Sequence, residues 1–313
     1  MKLLVVGGAG FIGINYIKLL ITGELQGISS LTVLDSFTYA SNKTELFDEA
    51  KIHDFEILQI DICDREKLLN IDEKFDVILN FAAESHVDRS IESPTTFVTT
   101  NILGLQNLLD LARKLNSKFI QVSTDEVYGS IESGSWDENY PLLPNSPYAA
   151  SKAAGDLLLR SYIKTYKLEG VLTRSCNNYG PYQHVEKFIP KTITNLQKEV
   201  SVPIYGSGLN TREWIHVHDN VKGIHQALLN GESGSIYNLG SGQEYTNLEI
   251  FGMICEIGNF DKKLLSYVPD RLGHDLRYSL NFSKAEAELG FSPFVGIADG
   301  LLTTIEWYAS KLT

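Results

Sequence analysis

The chain has 313 residues, 43% of them hydrophobic and 21% charged, enough to bury a large core in one α/β domain or in two that share an interface. Its formal net charge of -12 offers no basic footprint for a nucleic-acid backbone or an anionic membrane surface, so neither partner is expected. Any phosphate-bearing ligand must instead be held by local devices, such as helix amino ends and a few well-placed cations.

The amino end, Met1 to Val6, is apolar but reaches Gly7 too soon for a signal peptide, and reads as a first buried strand. Apolar runs at Leu3 to Val6, Leu31 to Leu34, Phe55 to Ile60, Val77 to Asn80 and Phe119 to Ser123 predict strands that alternate with helix-length amphipathic segments. That alternation predicts an α/β chain with a Rossmann-type, doubly wound parallel sheet. Between Asn101 and Leu115, Ile102, Leu105, Leu108, Leu109 and Ala112 recur at helical spacing, which predicts a crossover helix. Ser130 to Pro147 reads as a long ordered loop before a helix carrying Lys152.

Beyond Leu172 the pattern loosens, with turn-forming clusters at Asn177 to Pro181, Tyr205 to Asn210 and Gly231 to Gly242. We expect a sheet domain over residues 1–172, with returns around 212–242, and a smaller C-terminal substrate-binding lobe from the remaining segments of 173–313. Some return to the main sheet is expected around Trp214 to Asn230. No flexible linker or internal repeat separates the two lobes. Cys63, Cys176 and Cys255 are odd in number and far apart, so they show neither a disulfide framework nor a metal-ligand spacing. No segment approaches the ~20 apolar residues of a membrane span, and a reducing, cytoplasmic setting is expected.

The first strand runs into Gly7, Gly8, Ala9, Gly10, Phe11, Ile12 and Gly13, followed by an apolar helix from Ile14 to Ile21. Glycines at 7, 10 and 13 let the backbone approach a pyrophosphate, and the helix amino end offers it unpaired N–H groups. The second strand ends at Asp35, near the ~20-residue offset of an acid that grips a ribose diol. A carboxylate there repels a 2′-phosphate, which favours NAD over NADP. Asp61 and Ile62, after the third strand, are placed to meet the adenine edge.

Tyr148 and Lys152 stand four apart after Pro147 and share one helix face. An ammonium beside a phenol favours the phenolate, so the tyrosine pKa is expected below its usual ~10. Tyr39 and Lys43 have the same spacing, but follow Asp35 in a loop and are set aside on position. At the end of the fifth strand, Thr124, Asp125 and Glu126 present a hydroxyl and two adjacent carboxyls. Mutual repulsion and burial favour one protonated as an acid while the other works as a base. The bland alternative is that the pair caps the following turn.

These residues make the chain resemble the extended short-chain dehydrogenase/reductase superfamily and, within it, the dTDP-glucose 4,6-dehydratases. The resemblance spans nearly the whole length. Its most specific pieces are Asn80 to Ser90, Thr124 to Glu126, Asn177 to Tyr182, and Asp270 to Asp275. It implies oxidation of the sugar at C4, elimination of water across C5 and C6, and return of the hydride to C6, with no net use of NAD. Tyr148 would take the 4-hydroxyl proton, Glu126 the C5 proton, and Asp125 would protonate the departing C6 hydroxyl. Thr124 would hydrogen-bond the 4-oxygen and Lys152 the nicotinamide ribose. Ser85 and His86 would flank the sugar and pyrophosphate. The same matching puts Ser36, Thr38, Phe81, Ala82, Ala83, Thr100 and Asn178 on cofactor positions. Asn177, Lys187, Phe188, Pro203, Tyr205, Arg212, Asn247, Arg271 and His274 fall on nucleotide-sugar positions, and a homodimer is implied.

Two departures are visible: Leu272 stands where the family usually has proline, and the loop from Ser130 to Pro147 is short. Both bear on base and sugar preference. The nearest rival reading is a nucleotide-sugar 4-epimerase, which would share the glycine loop, Tyr148 and Lys152 but needs no paired acids. A non-catalytic nucleotide-sensing module is the reading from another class, and retention of Tyr148 and Lys152 argues against it.

Overall fold

The computed structural model describes residues 1–311. Its strands in chain order are β1 (Lys2–Val6), β2 (Ser30–Asp35), β3 (Glu56–Gln59), β4 (Val77–Asn80), β5 (Lys118–Thr124), β6 (Gly170–Ser175), β7 (Asn177–Tyr179), β8 (Val202–Tyr205), β9 (Thr211–His216), β10 (Ile236–Leu239), β11 (Glu244–Thr246) and β12 (Leu265–Val268). Seven of them form one parallel sheet in the order β10-β6-β5-β4-β1-β2-β3. The order reverses between β1 and β4, and a crevice opens at the carboxyl ends of the strands at such a switch point. Along β1, Leu3 and Val5 enter one apolar cluster while Leu4 and Val6 enter another, so the sheet is buried on both faces.

The helices are α1 (Phe11–Ile21), α2 (Lys43–His53), α3 (Arg65–Leu69), α4 (Val87–Glu92), α5 (Pro94–Val98), α6 (Leu105–Leu115), α7 (Pro147–Tyr166), α8 (Phe188–Gln197), α9 (Val217–Asn230), α10 (Asn247–Gly258), α11 (Ser283–Leu289) and α12 (Ile297–Ser310). The crossover helix expected from Asn101 is α-helical only from Leu105. Thr99–Gly104 forms a π-helical turn, in which Asn101 is buried. Its amide accepts from Glu84 N (2.9 Å) and donates to Glu84 O (3.0 Å) and to Ser151 Oγ (2.9 Å). That one side chain fastens the loop after β4 to α7.

The C-terminal half returns to the main sheet differently from the expectation. Trp214 lies in β9, which joins β11 and β7 in a separate three-stranded sheet, and Val217–Asn230 is helix α9. The returning strand is β10, parallel to β6 with Ile236 opposite Leu172 and Leu239 opposite Ser175. The remaining segments have their own apolar cluster, with Ile189, Ile193, Val202, Ile204, Trp214, Ile250, Phe251 and Leu301 buried in it.

Glu213 ties these parts together. It is fully buried; its Oε1 accepts from Ser241 N (2.6 Å) and Gly242 N (2.8 Å), and its Oε2 from Leu280 N (2.6 Å). Truncation would leave the buried Leu280 N–H without a partner, at about 1–3 kcal/mol, while the Ser241 and Gly242 N–H groups lie nearer solvent. Glu213→Ala should therefore lower unfolding free energy by about 1–3 kcal/mol, read as a shift of the urea midpoint.

Candidate active site

The glycine loop between β1 and α1 is dictated by close packing. Gly7 has φ +76°, and a Cβ there would sit 2.5 Å from Ala82 N; one at Gly13 would sit 2.4 Å from Gly7 O. Phe11 and Ile12 open α1, whose Gly10 cap supplies no side-chain acceptor and whose first turn holds no acid. The amino end therefore keeps its N–H donors for an anion. Asp35 ends β2; its Oδ2 accepts from Ala9 N (2.9 Å) and its Oδ1 from Phe37 N (2.7 Å), so it also braces the glycine loop. Burial pushes its pKa up, with those N–H groups opposing. Ser36 and Thr38 follow it. Asp61 and Ile62 follow β3, and Phe81, Ala82, Ala83 and Ser85 follow β4. Thr100 lies in the π-helical turn and Asn178 in β7, its Oδ1 buried without a partner. Donors at a helix amino end, an acid at the second strand and an unspent amide oxygen fit a dinucleotide.

The acids stand at the next strand end. Thr124 closes β5 and caps a short 3₁₀ turn, Asp125–Tyr128. Thr124 Oγ1 donates to Asp125 Oδ1 at 3.2 Å and accepts from Glu126 N at 3.3 Å, so the turn-capping reading holds for the threonine and not for the acids. Asp125 is 1% exposed and its Oδ2 has no partner. Burial, then Glu126 and Glu213, raise its pKa well above the usual carboxyl range. Glu126 is also raised by burial, but Arg212, Lys187 and Arg271 oppose the rise. The two neighbours are therefore pushed apart: Asp125 toward the acid form, Glu126 toward the base.

Ser146 caps α7 by accepting from Ala149 N at 3.1 Å, and Pro147 supplies the preset first position. This start delivers Tyr148 and Lys152, both buried, beneath β5. Lys152 Nζ donates to Val122 O at 2.8 Å, and burial lowers its pKa to about 8 against the pull of Asp156. The expected depression of the tyrosine is not found. Burial first, then Glu126, push the Tyr148 phenol upward, while the Thr124 hydroxyl works the other way. The ammonium is spent on a strand carbonyl. Both acids act electrostatically on the phenol, which places 125, 126 and 148 near one another at the strand-end crevice.

Around that cleft the second lobe gathers cations. Lys187 Nζ donates to Ser85 O at 2.6 Å. Arg212 donates to the carbonyls of Thr211 (2.8 Å) and Asp275 (2.9 Å) beside the Tyr278 ring, so its charge reaches Glu126 while these N–H groups are spent. Arg271 pairs with Asp88 at 2.5 Å, and Tyr205 OH donates to the same carboxylate at 3.3 Å. His274 donates or accepts at Asp270 (2.6 Å) and packs against Tyr205. His86 Nδ1 and Asn177 Oδ1 are buried without partners. Phe188 opens α8 against Trp214. Pro203 lies in β8 and Asn247 at the start of α10. Leu272 is exposed, so that departure leaves the core untouched.

The segment after β7 crosses back to the glycine loop. Asn15 donates to Pro181 O (3.0 Å), Asn42 to Tyr182 O (3.2 Å), and Tyr182 OH to Glu45 (2.7 Å). Glu186 accepts from Tyr39 OH (2.8 Å) and Arg89 (3.0 Å). Tyr39 is thus a tether of this segment, and Lys43 lies over the Phe37 ring, apart from it. Sequence reading assigns no role to Asn101, Asp88 or Glu186: Asn101 lies in a stretch read by its apolar spacing, and Asp88 lies inside the Asn80 to Ser90 motif without a role of its own.

The family model described as GDP-mannose 4,6 dehydratase matches residues 4–304. A dTDP-glucose 4,6-dehydratase of Streptomyces niveus is 48% identical over 98% of this chain and 93% of its own length. The chain belongs to the dTDP-glucose 4,6-dehydratase family. Among solved structures of this family, DesIV from Streptomyces venezuelae, crystallised with NAD, superposes with TM-score 0.97 at 48% identity, covering 99% of this chain and 97% of that one. A UDP-glucose 4-epimerase of Thermus thermophilus, also with NAD, gives TM-score 0.90 at 28% identity over 99% of each. The dehydratase family and the epimerases therefore share the scaffold.

A carboxyl whose folded pKa lies above its unfolded value binds a proton on folding. Its favourable contribution is complete below the unfolded pKa and is lost as pH rises through the folded one. For Asp125 that window opens near the ordinary aspartate range of ~4 and extends upward. Asp125→Asn should thus raise the urea midpoint at pH 7 relative to the parent, with the gain shrinking toward pH 4.

Proposed function

We propose that the chain converts dTDP-glucose to dTDP-4-keto-6-deoxy-glucose with NAD, and that the acids at 125 and 126, meeting the phenol at 148 in one cleft, do the proton work. When bound, NAD would supply the hydride acceptor for oxidation at C4 and the hydride donor for the return to C6. Glycines 7, 10 and 13 with the α1 amino end would hold its pyrophosphate, and Asp35 its adenosine ribose. Tyr148 in its phenolate form, which burial and Glu126 make costly, takes the proton of the 4-hydroxyl while Thr124 holds the 4-oxygen. The resulting ketone acidifies C5–H, and Glu126, kept closer to its charged form by Arg212, Lys187 and Arg271, removes that proton. Asp125, kept protonated by burial and by its neighbour, gives its proton to the C6 hydroxyl, which leaves as water. Glu126 then returns its proton to C5, and the proton held by Tyr148 restores Asp125, so atoms and charges balance. Arg271, Lys187, His86 and Asn177 surround the nucleotide side of the substrate.

The sheet with α9 and β10 forms the cofactor part, and the segments with their own apolar cluster form the nucleotide-sugar part. Among the described residues no helix is long and apolar enough to cross a membrane, and a cytoplasmic site of action accords with the reducing setting read from the cysteines. The single observation that carries the reading is the opposed environment of Asp125 and Glu126. With dTDP-glucose deuterated at C4, the product should lack water and carry the label at C6. Glu126→Gln should slow product formation by roughly 10²–10⁴-fold and build up reduced-nicotinamide absorbance. A C4 epimer, or label absent from C6, would refute the assignment.

The homodimer rests on an apolar surface. Val98 on α5, Leu103 in the π-helical turn, and Leu157 and Tyr166 on α7 are about half exposed on elements that pack together. In sedimentation, the parent should run at twice the chain mass and Leu103→Glu with Leu157→Glu at the mass of one chain. A parent of single-chain mass overturns the dimer.

A further inference from the structure

One buried charged assembly takes no part in the proton steps. Arg174 lies within β6 at 2% exposure, and Asp156 on α7 is fully buried. Arg174 Nε donates to Asp156 Oδ2 at 2.9 Å, and Nη1 donates to Tyr128 OH at 2.8 Å. Tyr128 OH donates in turn to Asn238 Oδ1 at 2.8 Å, on β10. The guanidinium lies 4.8 Å from the Tyr128 ring centroid, and that ring stacks on Trp136 at 5.3 Å. A buried ion pair is a poor device for stability, since apolar groups of the same size serve as well or better, so a role in fixing geometry is the better account of it.

The ends of this assembly identify what is fixed. Asp156 stands one turn beyond Lys152 on the helix whose first turn carries Tyr148. Tyr128 closes the 3₁₀ turn that opens with Asp125 and Glu126. Arg174 itself sits opposite Ser123 in the β5–β6 register, directly between the two. A planar guanidinium offers two donors at a fixed angle, and lysine cannot reproduce that fork.

We propose that Arg174 is a positioning residue, whose fork sets the spacing between the Tyr148–Lys152 helix and the Asp125–Glu126 turn. Oxidation at C4 and elimination across C5 and C6 then act on a single pose of the sugar. This rests on the functional reading above. Displacements near 1 Å at such a site cost up to ~10²-fold in rate, and they fall on the step that needs both elements. Oxidation needs chiefly the helix; elimination needs the turn held against it.

The test uses the full-length enzyme with dTDP-glucose and two variants, Arg174→Lys, which keeps a charge for Asp156 but loses the fork, and Tyr128→Phe, which removes only the hydroxyl. Each should lower kcat roughly ten- to hundredfold with KM little changed, and in single turnover each should build up more reduced-nicotinamide absorbance than the parent. The double variant should be no slower than the worse single one, because both cut the same link. The inference fails if either variant turns over at the parental rate. It also fails if the losses multiply in the double variant, or if they track the urea midpoint without any rise in absorbance. A parent inactive on dTDP-glucose would defeat the functional reading and this inference together, whereas an active parent with unaffected variants would defeat this inference alone.

Discussion

The structure depends on drawing two neighbouring carboxyl groups away from water, Asp125 fully and Glu126 in part. Desolvation acts on both Asp125 and Glu126, and chemistry arises because their surroundings answer it differently. Asp125 has a second buried carboxylate, Glu213, within electrostatic reach and an oxygen without a partner. Glu126 faces three cations. A chain with net charge -12 thus concentrates positive groups around Glu126, the proposed base.

The rest of the fold can be seen as what makes that arrangement persist. The parallel sheet brings the ends of β1, β2, β4 and β5 to one rim, and the switch between β1 and β4 opens the crevice there. Helix α7 is pinned from two sides, by Asn101 through Ser151 and by Arg174 through Asp156. Glu213 binds the second lobe to this frame through backbone groups of residues 241, 242 and 280, which ties the position of Arg212, its neighbour in β9, to the same carboxylate. Stability and site geometry are therefore set by the same few buried polar groups.

Much of this was legible beforehand because it follows from short-range rules. The five strands of the first half are near-continuous apolar runs, and the glycines at 7, 10 and 13 have no other economical explanation than close backbone approach. Thr124, Asp125 and Glu126 could be placed because a strand end fixes where they point. What stayed hidden depends on contacts distant in sequence. Asn101 looked like one residue of an amphipathic helix, and only the π-helical turn reveals its inward side chain. The return strand β10 is four residues long and follows turn-forming residues, so its pairing with β6 left no local mark. The spacing of Tyr148 and Lys152 gives their proximity along a helix but not the burial and the Glu126 charge that push the phenol upward.

The crossing between residues 181 and 187 has a kinetic meaning. Its tethers reach Asn15, Asn42, Glu45, Tyr39 and Arg89, which belong to elements on both flanks of the glycine loop. A dinucleotide held at the glycine loop would sit in a frame that these bonds brace from both flanks. A reaction that regenerates its own oxidant has no need for exchange, so a loop braced in this way carries no penalty in turnover.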